Sequence, residues 1–309
     1  MDIQLFNGRY LSADGSTDIK YIRWLGSEKP KAVVQLVHGM SEYIERYDEF
    51  ARFLTENGYT VYGNNHIGHG STAAVPEDRG HIPGRNGFLN MVTDVHNLSV
   101  IAREECGDIP FILFGHSMGS LLARLYAELY GNEITALILC GTSGKNPLSS
   151  LGLSLTGLIS LFKGGRYRSK LVFNMAFGSY CKRCSEKRTI YDWLSVNQDN
   201  VDEYMANEHC GEMLTAEGFA NLIRLIIVTT SKEWYKNVPK QLPVLLISGS
   251  EDPVGGYGKG VIETDRNLKK YGVKDVTHIL YSNLRHEILR EKEKGRVFAD
   301  ILSFIENHT

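Results

Sequence analysis

The chain has 309 residues, 34 Lys+Arg against 36 Asp+Glu, and a formal net charge of -2. That length can bury a large core, and the near-neutral balance gives no reason to expect nucleic acid or an acidic membrane surface as the main partner. A hydrophobic fraction of 42% with mixed charges fits a soluble globular chain, and five scattered cysteines do not suggest a disulfide framework.

Taken in order, Met1-Asp2-Ile3-Gln4-Leu5-Phe6 has neither the basic start nor the apolar stretch of a signal peptide. No apolar run reaches the eighteen or so residues of a membrane span, so a cytoplasmic address is expected. Ile19–Leu25 and Ala32–Val37 read as strands, Glu42–Asn57 as a helix stopped by Gly58, Tyr59–Gly63 as a strand and Phe88–Glu105 as a helix. Next come the short apolar strand Phe111–Phe114, a helix Met118–Tyr130 ended by Gly131, and strand Ile134–Cys140. After a break the pattern resumes with strand Val244–Ser248, helix Gly260–Tyr271, strand Val276–Tyr281 and a closing helix Glu287–Asn307. Strands alternating with helices predict an α/β fold, a parallel sheet with helices on both faces.

The break of roughly ninety residues is far longer than a usual connection. Within it Leu151, Leu153, Leu155, Leu158, Ile159, Leu161 and Phe162 form an apolar cluster before Gly164-Gly165, and Phe219, Leu222, Ile223, Leu225, Ile226 and Ile227 suggest a second, buried helix. The expected organisation is a core of residues 1–145 and 235–309, with residues 146–234 inserted as a helical cap over the strand ends.

Gly115-His116-Ser117-Met118-Gly119 fits G-x-S-x-G. The bare pattern is weak, but this match directly follows an apolar strand and opens a helix, the strand–turn–helix setting of a nucleophile elbow. A serine on a sharp turn, its hydroxyl above the sheet, requires small flanks, whereas a mere helix cap would not need glycine on both sides. The helix N-terminus also aims N–H groups at a developing oxyanion. One oxyanion donor is expected from the backbone of Met118. The other should come from the loop after an earlier strand, where His38-Gly39-Met40 follows Ala32–Val37 and Met40 is the candidate.

In this arrangement the acid follows the serine in the chain and the histidine follows the acid. Asp252 stands in the loop after Val244–Ser248, with Glu251 as a rival, and His286 stands after Val276–Tyr281. Both are loops at strand C-terminal ends, where open α/β sheets place their sites. His286 would take the proton of Ser117, and Asp252 would orient the imidazole. His278, inside a strand pattern, is expected to pack in the sheet. Cys181-Lys182-Arg183-Cys184 lacks a second paired knuckle and reads as ordinary cysteines in a helical i, i+3 pair. His66-Ile67-Gly68-His69-Gly70 reads as a structured loop, His81 and His96 as satisfied polar histidines, and Arg166, Arg168 and Lys170 as solvated surface.

With these residues placed, the chain resembles the monoacylglycerol lipase/lysophospholipase-like branch of the α/β-hydrolases. The resemblance rests on His38-Gly39-Met40, His66-Ile67-Gly68-His69-Gly70, the serine elbow, Asp252-Pro253, His286-Glu287 and the insertion segments Asp192-Trp193-Leu194-Ser195, Val201-Asp202-Glu203-Tyr204 and Cys210-Gly211. It implies an eight-stranded, mostly parallel sheet, a cap after strand six, and ester hydrolysis without cofactor or metal. It carries over Ser117, Asp252 and His286 as a triad, with Met40 and Met118 as oxyanion donors. The expected substrates are monoacylglycerols, lysophospholipids or similar single-chain acyl esters. His38, Gly39, His116, Leu151, Leu155 and Leu158 are candidate substrate contacts, and Leu151–Phe162 could line an acyl tunnel or touch a lipid surface. An amidase or peptidase of the same fold, and a hydrolase-fold receptor that turns its ligand over slowly, remain as alternatives. Two departures from the family pattern stand out: Asn65 where many relatives have aspartate, and Met40, whose long side chain is expected near the acyl pocket.

Overall fold

The computed structural model describes residues 3–309; Met1 and Asp2, part of the N-terminal stretch read above, lie outside them. The central strands form where aliphatic and β-branched residues run without interruption, as in Val33-Val34-Gln35-Leu36-Val37, every one of which is buried. Strands covered on both faces need no polar alternation. Strands β1 (Gln4–Leu11), β2 (Asp18–Leu25), β3 (Val33–Val37), β4 (Thr60–Asn64), β5 (Phe111–His116), β6 (Ala136–Cys140), β7 (Val244–Gly249) and β8 (Val276–Tyr281) make one sheet in the order β1-β2-β4-β3-β5-β6-β7-β8. The β1–β2 and β2–β4 pairs are antiparallel and the other five are parallel, which is the eight-stranded, mostly parallel sheet expected.

Two apolar layers sandwich the sheet. Phe111 and Leu113 of β5 face a core shared with α2 (Gly87–Cys106) and α3 (Met118–Tyr130), while Ile112 and Phe114 face α1 (Asp48–Glu56). The chain between β6 and β7 holds α4 (Ser149–Lys163), α5 (Lys170–Phe177), α6 (Gln198–Ala206), α7 (Ala216–Thr229) and α8 (Lys232–Asn237). Then α9 (Lys259–Lys270) joins the α3 side, and α10 (Lys294–Glu306) the α1 side. Among these inserted helices α4, α5 and α7 share a small core around Val172, Leu214 and Phe219, to which Leu155 and Phe177 add. Leu225 of α7 belongs to the large core as well, so this helix bridges insertion and sheet layer.

The structure corrects several boundaries. The edge strand β1 was missed because its residues are mostly exposed and show no apolar alternation. The helix expected over Glu42–Asn57 begins as a short 3-10 turn at Ile44, and α1 starts only at Asp48. Its opening is diverted because Ser41 is left-handed (φ 55) and the Ile44 N–H is taken by the Asn65 side chain at 2.8 Å. The closing helix is likewise broken at Glu291, whose carboxylate accepts the Val196 and Asn197 N–H groups at 2.9 and 3.1 Å. His278 is exposed on the edge strand β8 and sits 3.4 Å from Asp265 instead of packing in the sheet. Among the described residues no helix is long and apolar enough to cross a membrane.

Candidate active site

Strand order fixes where the site forms. From β3 the chain crosses one way to β4 and the other way to β5, so the C-terminal ends of β3 and β5 flank a switch point, where open α/β sheets leave a crevice. The loop after β3 and the elbow after β5 meet there: a β-carbon on Gly39 would lie 3.0 Å from that of Ser117.

Ser117 has φ 54 and ψ -120, a conformation sparsely populated by residues other than glycine, and it begins α3. Close packing enforces this strain. A β-carbon on Gly119 would come within 2.0 Å of the Val37 carbonyl oxygen, and one on Gly115 within 2.3 Å of the Gly119 oxygen. The Ser117 N–H is held by Cys140 O at 2.9 Å. From Phe111 to Ala127, Ser117 is the one residue that is not buried, so the turn lifts its side chain out of the core.

The acid and the histidine meet as the order of β7 and β8 requires. His286 Nδ1 lies 2.9 Å from Asp252 Oδ2, and both side chains are buried. Asp252 also accepts from Ser248 Oγ at 3.0 Å and from the Val254 N–H at 2.9 Å, bonds that suit an ionised carboxylate. Glu251, the rival acid, makes no such contact; only its backbone N–H is engaged, by Leu284 O. The His286 ring stands between Trp193 and His116, with centroids 5.2 and 4.8 Å away. Ser117 and His286 line one cavity of about 720 Å³, together with Met40 and Met118. The N–H groups of Gly39 and Ser117 are taken by Glu42 and Cys140, whereas those of Met40 and Met118 have no partner among the described residues.

The remaining candidates divide. His38 is fully buried and faces away from the cavity: its Nδ1 bonds Gly39 O at 2.7 Å and its Nε2 accepts the His66 N–H at 3.1 Å. Burial pushes its imidazole down to about 3, so it is a neutral brace behind the loop, not a substrate contact. Gly39 lies beneath Ser117 and is no part of the wall. His116 does line the cavity, but both its ring nitrogens are engaged within the protein, at Tyr47 (2.8 Å), Glu42 (3.1 Å) and the His286 carbonyl (3.3 Å). Leu151 and Leu158 point to solvent and Leu155 into the small inserted core; none of the three lines the cavity. Its apolar wall comes from Phe173 and Phe177 of α5, Leu121 of α3, and Leu222 and Ile226 of α7.

Other readings settle as follows. Cys181 lies on a 3-10 turn and Cys184 is the extended residue after it, not an α-helical pair, and both are free thiols. Among the described residues no group of His, Cys, Asp or Glu could hold a metal ion. Arg168, expected as solvated surface, pairs with Glu212 within the insertion (2.8 Å) and ties the insertion to the loop before α2 by donating to Arg79 O (2.8 Å). The insertion also clamps the loop after β3 directly, since Tyr204 Oη and the Gly211 N–H both donate to Ser41 O, at 2.9 and 3.0 Å.

Sequence reasoning missed the polar cluster beneath the site. Arg46 donates to Glu42 at 2.8 Å and makes two bonds to Glu287 at 2.7 and 2.8 Å, all three side chains being buried. Burial would raise the Glu42 carboxyl, but His116 and Arg46 hold it well below the ordinary carboxylate range. The opposite charges of Glu42 and Arg46 at i, i+4 were the available signal.

Comparison with known proteins agrees with this fold. A family model described as "Serine aminopeptidase, S33" matches residues 28–293. The monoacylglycerol lipase of Mycolicibacterium smegmatis is 25% identical over 301 residues, covering 95% of each chain. The monoglyceride lipase of Mus musculus is 25% identical over 278 residues, 87% of this chain and 83% of its own. Among solved structures, a highly thermostable carboxyl esterase from Bacillus coagulans in complex with glycerol matches with a TM-score of 0.93 at 30% identity, over 99% of both chains. With the family model spanning most of its length and this sheet at its centre, the chain belongs to the serine aminopeptidase S33 family of α/β-hydrolases.

Proposed function

We propose that this carboxylic ester hydrolase acts on monoacylglycerols, lysophospholipids or similar single-chain acyl esters through an acyl-enzyme. Ser117 attacks the ester carbonyl while His286 takes its proton, and Asp252 holds the imidazole and stabilises its charged form. The Met40 and Met118 N–H groups receive the oxyanion. His286 then protonates the leaving alcohol, activates a water against the acyl-serine and returns the enzyme to its start. Residues 146–234 act as the cap that closes the acyl side of the cavity. The observation that carries this reading is the cavity itself: it holds a strained, accessible serine and a histidine paired to a buried aspartate, beside an apolar wall supplied by α5 and α7. Its volume lies in the range of small-molecule sites, and similarity to monoacylglycerol and monoglyceride lipases supports the substrate class.

The family's description favours a second reading, an aminopeptidase. Such an enzyme needs a free carboxylate to anchor a substrate amine. Of the carboxylates lining the cavity, Glu42 and Glu287 are bound to Arg46 and Glu212 to Arg168, which leaves Glu263 to serve. The test is a series of p-nitrophenyl esters of increasing chain length beside matching anilides, with wild type and Ser117→Ala. Expected are turnover of esters well above anilides, a preference for medium or long chains, and loss of turnover and of fluorophosphonate labelling in a folded Ser117→Ala variant. Full residual activity in that variant overturns the mechanism, and anilides cleaved as fast as esters overturn the substrate class.

A further inference from the structure

The reacting groups stand on three separate segments: the oxyanion loop 38–40, the elbow 115–119, and the loop that carries His286. We propose that Glu42 is a positioning residue that ties these three segments together through an ion pair with His116; this rests on the reading of Ser117 and His286 given above. Glu42 Oε1 accepts the Gly39 N–H at 2.7 Å, which fixes the oxyanion loop. The same oxygen faces His116 Nδ1 at 3.1 Å and accepts from Tyr47 Oη at 2.8 Å, which fixes the residue before the nucleophile. Two routes then reach the histidine loop. His116 Nε2 bonds the His286 carbonyl at 3.3 Å, and Arg46, held by Glu42 Oε2, grips Glu287, the residue after His286.

Hydrogen-bond chemistry identifies His116 as an imidazolium. Its Nε2 faces a backbone carbonyl, which can only accept, so that nitrogen carries a proton. Its Nδ1 faces a carboxylate and a phenol whose own proton goes to that carboxylate, so Nδ1 carries one too. Charge balance agrees. Two buried carboxylates, Glu42 and Glu287, face one guanidinium, Arg46, and a cationic His116 brings the cluster to neutrality. Its other neighbours are His38, Tyr47, the His286 ring and, across the β5–β6 pair, Cys140. Burial opposes a charged His116, yet the bond and charge of Glu42 hold it above its ordinary value.

The test uses Glu42→Gln, which keeps the shape and removes the charge. A hydrogen bond to a charged acceptor is about twice as strong as a neutral one, so the oxyanion loop loosens. The expected result is a kcat about tenfold lower on a short p-nitrophenyl ester, with KM within twofold, since small misplacements of reacting groups slow the chemistry. Imidazole nitrogen resonances give the second readout: His116 loses its second ring proton at higher pH in the wild type than in Glu42→Gln. Wild-type kcat in the variant, or a His116 that titrates no higher in the wild type than in Glu42→Gln, overturns the proposal. If Glu42→Gln does not fold, His116→Gln must give the same fall in kcat at constant KM, and full kcat there overturns it equally. Persistent fluorophosphonate labelling of Ser117→Ala would instead sink the assignment of the nucleophile, while the His116 resonances still report on the ion pair.

Discussion

Gly141, just after β6, tests how tightly His286, the proposed general base, is held. Its φ is 58, and a β-carbon there would lie 3.0 Å from Cε1 and 3.1 Å from Nδ1 of His286. Left-handed backbone costs an L residue about 1–2 kcal/mol, so Gly141→Ala should lower stability by about that much. Ordinary carbon contacts begin at about 3.5 Å, so the ring must also retreat by roughly 0.5 Å. It has little freedom to do so, with Nδ1 bonded to Asp252 at 2.9 Å and the Trp193 and His116 rings close by. If a 1 Å misplacement costs about a hundredfold in rate, a shift of this size costs roughly tenfold, about 1.4 kcal/mol of transition-state stabilisation. Steady-state hydrolysis of a short p-nitrophenyl ester should therefore show kcat about tenfold lower with KM little changed, and Tm lower by about 1.5 °C per kcal/mol lost. Wild-type kcat at the reduced Tm would refute the tight seating of His286, and an unchanged Tm would refute the backbone argument too.

Two further outcomes are expected. Gly119→Ala should leave little soluble protein, because its β-carbon would meet the Val37 and His38 carbonyl oxygens at 2.0 and 2.5 Å and neither backbone atom can step aside; a soluble variant with wild-type Tm would contradict that packing. At Asp94, burial outweighs the hydrogen bonds from Ala13 and Ser12 and holds the carboxyl up at about 6 against an ordinary 3.8. The folded chain thus keeps a proton that the unfolded chain releases, so this group's stabilisation is complete below pH ~4 and lost as pH rises through ~6. Asp94→Asn should flatten the decline of Tm between pH 4 and 7 relative to wild type, and parallel profiles would refute the assignment.

The central fold was legible because the physics that makes it is local. Continuous apolar runs such as Phe111–Phe114 mark strands buried on both faces, and amphipathic stretches between them mark the covering helices. What failed were places where a distant partner overrides local preference. Glu291 reads as a helix interior, yet its carboxylate serves N–H groups nearly a hundred residues away, and the helix breaks there. The strand β1 pairs only with β2 and keeps exposed polar residues, so no apolar period betrays it.

The same division runs through the site. The elbow is readable because its backbone tolerates only glycine at 115 and 119, a demand that local sequence must meet. The Glu42 cluster joins residues 74 and 170 positions apart in its two links through His116, and no window of sequence spans such distances. The insertion shows the limit most clearly. Leu151, Leu155 and Leu158, at i, i+4 and i+7, do share one helical face, as their spacing requires. Periodicity says that such a face is apolar, but not whether it meets core, cavity or water. Here the two outer leucines meet solvent, and the cavity wall is built instead by Phe173 and Phe177, four apart on the next helix. The shape of the cavity wall is therefore set by how α7 packs on α3 and α4 and how α5 packs on α4, a tertiary arrangement that no helical period encodes.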